Sequence, residues 1–354
     1  MFELQAVARG SAARAGVLHT AHGTIETPAF MPVGTQASVK GLTPGDLYSV
    51  GASCILSNTY HLWLRPGSEL IANAGGLHAF MGWEQSILTD SGGFQIFSLA
   101  HLVEIDDGGA AFVSHLDGEP RTLSPETAMD VQAMLASDIA MQLDVCAPYP
   151  CPPTQLREAA DRTNRWAERS LATKRAPGQL VFGIVQGGVD PDLRAECARV
   201  QSDLPFDGYG IGGLSVGEPR ELIWPALEAV CDSLPETRPR YLMGVGAPSD
   251  IVEAISRGVD LFDCVLPTRL GRHGAALTAD GQMDLRRAEH AKRDVPLDPS
   301  CDCIACTNFE IGYLHHLVRA GEDLGRSLVS LHNIRFLTRL ASAARLAILD
   351  GRCP

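Results

Sequence analysis

Eight short apolar segments separated by helix-like stretches constrain this chain more than any other feature. They cover residues 27–33, 54–57, 86–89, 139–143, 180–185, 209–211, 240–245 and 260–265. Most run on without polar alternation, as strands do when both faces of a parallel sheet are covered. Amphipathic stretches at 153–174, 190–202, 220–233 and 248–257 read as the intervening helices. The pattern predicts an α/β fold, a (β/α)8 TIM barrel, with an open doubly wound sheet as the second choice. The gap after the third strand holds an alternating run around Asp106-Asp107-Gly108-Gly109, which predicts an inserted β-hairpin. Ser124 and Pro125 then open a helix as cap and first residue.

Polar or glycine residues close one strand after another: Asn58, Asp90, Asp144, Gln186, Gly212-Gly213, Met243-Gly244 and Asp263. In a parallel barrel these ends share one rim, where active sites form. A carboxylate at the end of a buried strand is costly unless paired or used. Asp90 and Asp263 therefore read as an acid/base and nucleophile pair.

With 354 residues, 45% apolar and 20% charged, the chain can bury a large core. No basic-then-apolar leader and no apolar run of ~20 residues occurs, so a soluble, cytoplasmic protein without a membrane segment is expected. The formal charge is −13, yet residues 265–354 carry 12 Lys/Arg against 10 Asp/Glu. A locally basic surface in the C-terminal part is compatible with a nucleic-acid partner despite the acidic total.

Ten cysteines are scattered except for Cys301, Cys303 and Cys306. Three closely spaced thiolates and one imidazole would make a closed tetrahedral set of the soft ligands that Zn2+ prefers, hence a structural site. His315, His316 and His332 compete for the fourth position; His332 follows a separate helix-like stretch and can approach from outside. From 286 onward the chain reads as a small zinc-bearing subdomain packed on a barrel formed by 1–285.

The motifs resemble the bacterial tRNA-guanine transglycosylases, also called queuine tRNA-ribosyltransferases, over nearly the whole chain. Those motifs are His22-Gly23-Thr24-Ile25-Glu26-Thr27-Pro28, Phe30-Met31-Pro32-Val33-Gly34-Thr35, Asn58-Thr59-Tyr60-His61 and Thr89-Asp90-Ser91-Gly92-Gly93-Phe94-Gln95. Further along come Phe182-Gly183-Ile184-Val185-Gln186-Gly187, Gly212-Gly213-Leu214-Ser215-Val216-Gly217-Glu218 and Tyr241-Leu242-Met243-Gly244. Asp263-Cys264-Val265-Leu266-Pro267-Thr268-Arg269 and the CxCxxC…H set with His332 complete the series.

The resemblance implies exchange of guanine at the wobble position of G-U-N anticodon tRNAs (Asp, Asn, His, Tyr) for a 7-deazaguanine, usually by a homodimer. By motif, Asp263 would be the nucleophile on ribose C1′ and Asp90 the proton-shuttling acid/base. Asp144 would accept from the N1–H and amino edge of the base, while Gln186 and the Gly213 N–H would donate to O6. Ser91, Gly92 and Gly93 would line the pocket, with Phe94 and Met243 stacking on the base. Leu214 would offer its carbonyl to an aminomethyl group, with Glu218 behind it. Cys146 and Val216 bear on base choice: queuine-using relatives carry glycine where Val216 stands, so 7-aminomethyl-7-deazaguanine (preQ1) is the expected base. Gly244, Val245, Gly246, Ala247, Pro248, Ser249 and Asp250 match one tRNA-contacting segment. Thr268, Arg269, Leu270, Gly271 and Arg272 match another. Leu270 and His273 depart from the polar residues usual there, and Val145 from an acidic one. A queuine-using enzyme and a non-catalytic subunit of a heteromeric enzyme are the alternatives. The second would be expected to lack one of the two aspartates, and both are present.

Overall fold

A computed structural model describes residues 1–98 and 103–354. Strands β1 (Phe2–Val7), β2 (Arg14–Thr20) and β3 (Gly23–Thr27) form an antiparallel sheet. The chain then enters an eight-stranded parallel sheet at β4 (Ala29–Pro32) and continues through β5 (Cys54–Asn58) and β6 (Ser86–Asp90). Between β6 and the next barrel strand lie β7 (Val103–Ile105), β8 (Ala110–Val113) and β9 (Pro120–Leu123). The barrel resumes with β10 (Ile139–Met141), β11 (Leu180–Val185), β12 (Gly208–Ile211), β13 (Arg240–Leu242) and β14 (Leu261–Cys264). From β5 onward each barrel strand pairs with the next along the chain, and β14 pairs with β4. A parallel bridge from Val33 to Leu56 and a 2.6 Å bond from the Gly34 N–H to the Leu56 carbonyl bring β4 to β5. The sheet is thus a nearly closed (β/α)8 barrel.

Strand parity divides the core. On β11, Phe182 and Ile184 join the barrel interior, whereas Val181 and Val185 join the layer beneath the helices. On β12, Tyr209 and Ile211 point outward and glycines take the inward positions. A Cβ on Gly208 would stand 2.5 Å from the Phe182 ring, and one on Gly210 2.7 Å from Met141 Cε, so β12 yields its interior volume to larger neighbours. Phe2, Leu18 and Ile25 of the antiparallel sheet join the same interior cluster. Because β3 leads directly into the start of β4, this sheet covers the N-terminal end of the barrel. The C-terminal rim is left for chemistry.

Several expectations shift. Residues 27–33 do not form one strand: Pro28 has no N–H to donate, and Thr27 ends β3 while β4 starts at Ala29. The insert is a three-stranded sheet, because β9 pairs with β8 from Ala110↔Leu123 to Val113↔Pro120. Its turn docks on the helix Pro153–Ala172, where Arg162 and Arg165 reach the Asp107 carboxylate at 3.2 and 2.6 Å. His332 does not follow a helix but lies inside one, Asp323–Leu349. That helix ties the C-terminal segment to the barrel. Leu331 and Ile334 pack with the three clustered cysteines, Leu337 and Ile348 pack with the barrel helices, and Arg345 donates to the carbonyls of Gly16 (2.7 Å) and Thr27 (2.8 Å).

At the N-terminal rim His22, His78 and Asp138 converge closely enough to suggest a metal site. The Asp138 carboxylate is already saturated, however. It accepts from the His22 N–H (3.0 Å) and Ile87 N–H (2.8 Å) and bonds His22 Nδ1 (2.8 Å) and His78 Nε2 (3.0 Å). The trio is a hydrogen-bonded clamp at the bottom of β6 and β10. Among the described residues no helix is long and apolar enough to cross a membrane.

Candidate active site

Asp90 ends β6 in register with Asn58, the last residue of β5. Leu88 faces the barrel interior, so parity turns Asp90 the same way. The Asn58 side-chain oxygen caps the helix Thr59–Leu64 by accepting the His61 N–H at 2.9 Å, which aims its amide nitrogen at Asp90 Oδ2. The Thr59 N–H donates to Asp90 Oδ1 at 3.0 Å. Burial raises the Asp90 carboxyl to about 7; the charges of Asp263 and Asp144 add to the rise, and the N–H groups of Thr59 and Gly92 oppose it. A carboxyl poised there can give and take a proton at neutral pH.

Asp263 lies on β14, two residues beyond the inward-facing Leu261. The Tyr241 hydroxyl and the Gly244 N–H both donate to its Oδ1, each at 2.6 Å. Among the described residues Oδ2 accepts no hydrogen bond. Burial raises the Asp263 carboxyl, while the Tyr241 and Gly244 donors favour its ionised form. The Tyr241 hydroxyl is itself held well above its ordinary value, by burial first and by Asp263 next, so it stays a donor.

A second acidic centre sits beside them. Asp144 accepts from Ser91 Oγ (2.9 Å) on Oδ1 and from Gln186 Nε2 (2.7 Å) on Oδ2, and the Gly93 N–H donates to Ser91 Oγ at 3.1 Å. Burial raises this carboxyl; Gln186 and Ser91 oppose it. The approach of the turn after β6 is tight, since a Cβ on Gly93 would lie 2.5 Å from Asp144 Oδ1. Gly213, at φ +64°, lies against Gln186, whose Oε1 would stand 2.3 Å from a Cβ there. Only glycine meets both demands. Leu214 is buried, Val216 is half-buried, and Glu218 accepts the N–H groups of Ser215 and Val216, the latter at 2.8 Å. Cys146 is buried beside Asp144, and burial pushes its thiol up to about 12. Met243 is half-buried over Gly210, whereas Phe94 is 55% exposed.

The expected tRNA-contacting segments divide by exposure. Gly244 is open, with φ +75°, while Val245 is buried and Gly246 packs on Cys264. Ala247 precedes the helix Pro248–Ser256, Ser249 is exposed, and Asp250 pairs with Arg220 at 2.6 Å. In the helix Leu266–Arg272, Arg269 is exposed and Arg272 partly so. Thr268 is buried, Gly271 packs on Ser330, and the half-buried Leu270 packs against the barrel helices.

Away from this rim, Cys301, Cys303, Cys306 and His332 are all buried, with ligand atoms within 4.8 Å of one another. His332 Nδ1 lies 3.2 Å from Cys306 Sγ, and its Nε2 is 2.8 Å from the Leu277 carbonyl. That outer bond fixes the ring and leaves Nδ1 for a metal. His315 is engaged elsewhere, its Nδ1 being 2.6 Å from the Leu285 carbonyl. The four residues can hold a metal ion.

The family model described as queuine tRNA-ribosyltransferase matches residues 9–354. The chain belongs to the queuine tRNA-ribosyltransferase family. It is 54% identical over 344 residues to the protein of that name from Moorella thermoacetica, covering 97% of this chain and 92% of the other. The homonymous protein from Pelotomaculum thermopropionicum is 54% identical over 340 residues, covering 96% and 92%. That from Geobacillus thermodenitrificans is 50% identical over 352 residues, covering 99% and 93%. As a member of the queuine tRNA-ribosyltransferase family, the chain is an enzyme of pentosyl transfer.

The sequence reading gave Tyr241 and Arg194 no part in the site, and it placed Asn58 on the rim without a partner. Tyr241 shares the inward parity of Met243, a signal that was available. The role of Asn58 follows from its place opposite Asp90 and from the cap it makes. Arg194 carried no signal, because an arginine in an amphipathic helix reads as part of a solvated face.

Proposed function

We propose that the chain is a tRNA-guanine transglycosylase that exchanges guanine at the wobble position of G-U-N anticodon tRNAs for preQ1 by double displacement. The observation that carries this reading is the contrast between two carboxylates on one rim. Asp263 has one oxygen tethered by two donors and the other unengaged among the described residues, whereas burial raises the Asp90 carboxyl to about 7. Asp263 Oδ2 attacks ribose C1′, the C1′–N9 bond breaks, and its electron pair leaves with guanine, which takes a proton from Asp90. The incoming base returns its N9 proton to Asp90 as N9 attacks C1′ and expels Asp263. This is the logic of a retaining glycosidase with a base in place of water.

Asp144 suits the N1–H and amino edge of a flipped-out guanine, Gln186 and the Gly213 N–H suit O6, and Phe94 and Met243 stack on its faces. Ser91, Gly92 and Gly93 shape the floor. The Leu214 carbonyl, backed by Glu218, takes the aminomethyl group, and the side chains of Val216 and Cys146 narrow the space that queuine would need. Arg269 and Arg272 bind phosphate or anticodon bases, and the segments Gly244–Asp250 and Thr268–Arg272 contact the tRNA.

The Cys3His set is of the kind that suits Zn2+, closed and without a position for water, so its role is structural. We assign 286–354 as the zinc subdomain on a 1–285 barrel, in a cytoplasmic homodimer. Cys303→Ser should remove one equivalent of zinc per chain and lower the thermal midpoint by on the order of 10 °C. Metal analysis with a melting curve checks this, and retention of full metal content would contradict the ligand set.

Tyr241→Phe removes one of the two donors to Asp263. The rate of adduct formation should fall roughly tenfold to a hundredfold. The pH needed to ionise Asp263 should rise, because the lost donor favoured the carboxylate. Single-turnover rates against pH would show both effects, and an unchanged profile would remove Tyr241 from the mechanism. The direct test of the function is incorporation of labelled guanine into unmodified tRNA.

A further inference from the structure

Arg194 lies in the helix Pro191–Ser202 that follows β11, and its side chain is wholly buried. Its Nε donates to the Gly188 carbonyl at 2.7 Å, its Nη1 to Val185 at 3.0 Å and its Nη2 to Gly213 at 3.1 Å. Three carbonyls, one at the end of β11 and two in the loops after β11 and β12, are thereby fixed by one planar fork. The first loop carries Gln186 between Val185 and Gly188, and the second is Gly213 itself. Gly187 packs on the arginine so closely that a Cβ there would meet its backbone N at 3.0 Å. Among the described residues Arg194 forms no ion pair with a carboxylate. Burial lowers it to about 10, still protonated at neutral pH. A buried cation whose hydrogen bonds all go to carbonyls is costly, and a paired or apolar side chain could brace the loops without that cost.

We propose that Arg194 is a positioning residue of the base pocket whose retained charge also favours departure of guanine as an anion. The proposal rests on the transglycosylase reading above. When C1′–N9 breaks, the electron pair stays on the purine and spreads toward O6 until N9 takes the Asp90 proton. In the proposed pocket Gln186 and the Gly213 N–H meet O6, and Arg194 fixes the Val185, Gly188 and Gly213 carbonyls of the backbone that carries them. A fixed positive charge in a water-poor site stabilises that developing charge without reorganisation at the moment of reaction.

Arg194→Lys and Arg194→Gln separate charge from geometry, since each keeps donors for the carbonyls. The reading is single-turnover adduct formation with synthetic anticodon stem-loops carrying guanine or 8-azaguanine, whose anion is the more stable. The Gln variant should slow departure of guanine by ~100-fold and of 8-azaguanine by only ~10-fold, while the Lys variant keeps the wild-type ratio of the two. Both variants should raise KM for free guanine several-fold. Equal slowing of the two bases by the Gln variant, or no slowing, would overturn the electrostatic role. If the Gln variant does not fold, the Lys variant decides: an unchanged KM overturns the positioning, and a shifted ratio of the two bases overturns the role of charge. Wild-type enzyme that forms no adduct with either stem-loop would instead remove the transglycosylase reading, and this proposal with it.

Discussion

Asp263→Asn is expected to abolish the covalent enzyme–tRNA adduct and to lower base exchange by roughly 10^4-fold or more. The substitution is nearly isosteric, and its carbonyl can still accept from Tyr241 and Gly244, so the site keeps its shape. What is lost is the nucleophile: a neutral amide cannot form the ester to C1′. Asp263 is buried and its carboxyl is raised by that burial, so replacing the charge should not weaken the fold. Denaturing gels of enzyme incubated with tRNA, read beside a melting curve, make the check. An adduct that survives in the folded variant would move the nucleophile to another residue.

The second large effect belongs to Asp90. Asp90→Ala should slow exchange by ~10^3-fold, within the range of general acid–base catalysis plus the loss of a pocket wall. Its titration near 7 makes a sharper prediction about pH. Below 7 the carboxyl holds its proton and can give it to departing guanine, so adduct formation should be fast there and should fall as pH rises through 7. In the return step Asp90 must accept a proton, so attack of the incoming base should be slow below 7 and rise through the same value. Single-turnover measurements of the two halves from pH 5.5 to 8.5 should give opposite slopes, flattened in Asp90→Ala. Parallel slopes would remove the acid/base assignment.

Much of the barrel was legible because parallel strands buried on both faces leave continuous apolar runs. The segments at 180–185 and 220–233 match the observed strand and helix to the residue. The strand-end polar residues were legible for a related reason: an inward parity that runs Leu88 to Asp90 or Ile184 to Gln186 changes from apolar to polar at the rim. The N-terminal sheet was not legible, since its central strand Arg14–Thr20 neither alternates nor runs continuously apolar and the strand Gly23–Thr27 beside it is short. The helix Asp323–Leu349 hid its extent because nearly every face of it is covered, by the cysteine cluster on one part and the barrel helices on another. Arg194 was hidden for the opposite reason: a charged residue signals solvent, and only the fold shows that three carbonyls take the place of water.

Labelled guanine and an unmodified tRNA-Tyr transcript, with preQ1 and queuine as competitors, test the central claim most directly. Base exchange at the wobble position predicts that label enters the tRNA and that preQ1 blocks it at far lower concentration than queuine. Folded, metal-loaded protein that incorporates no guanine would contradict the account.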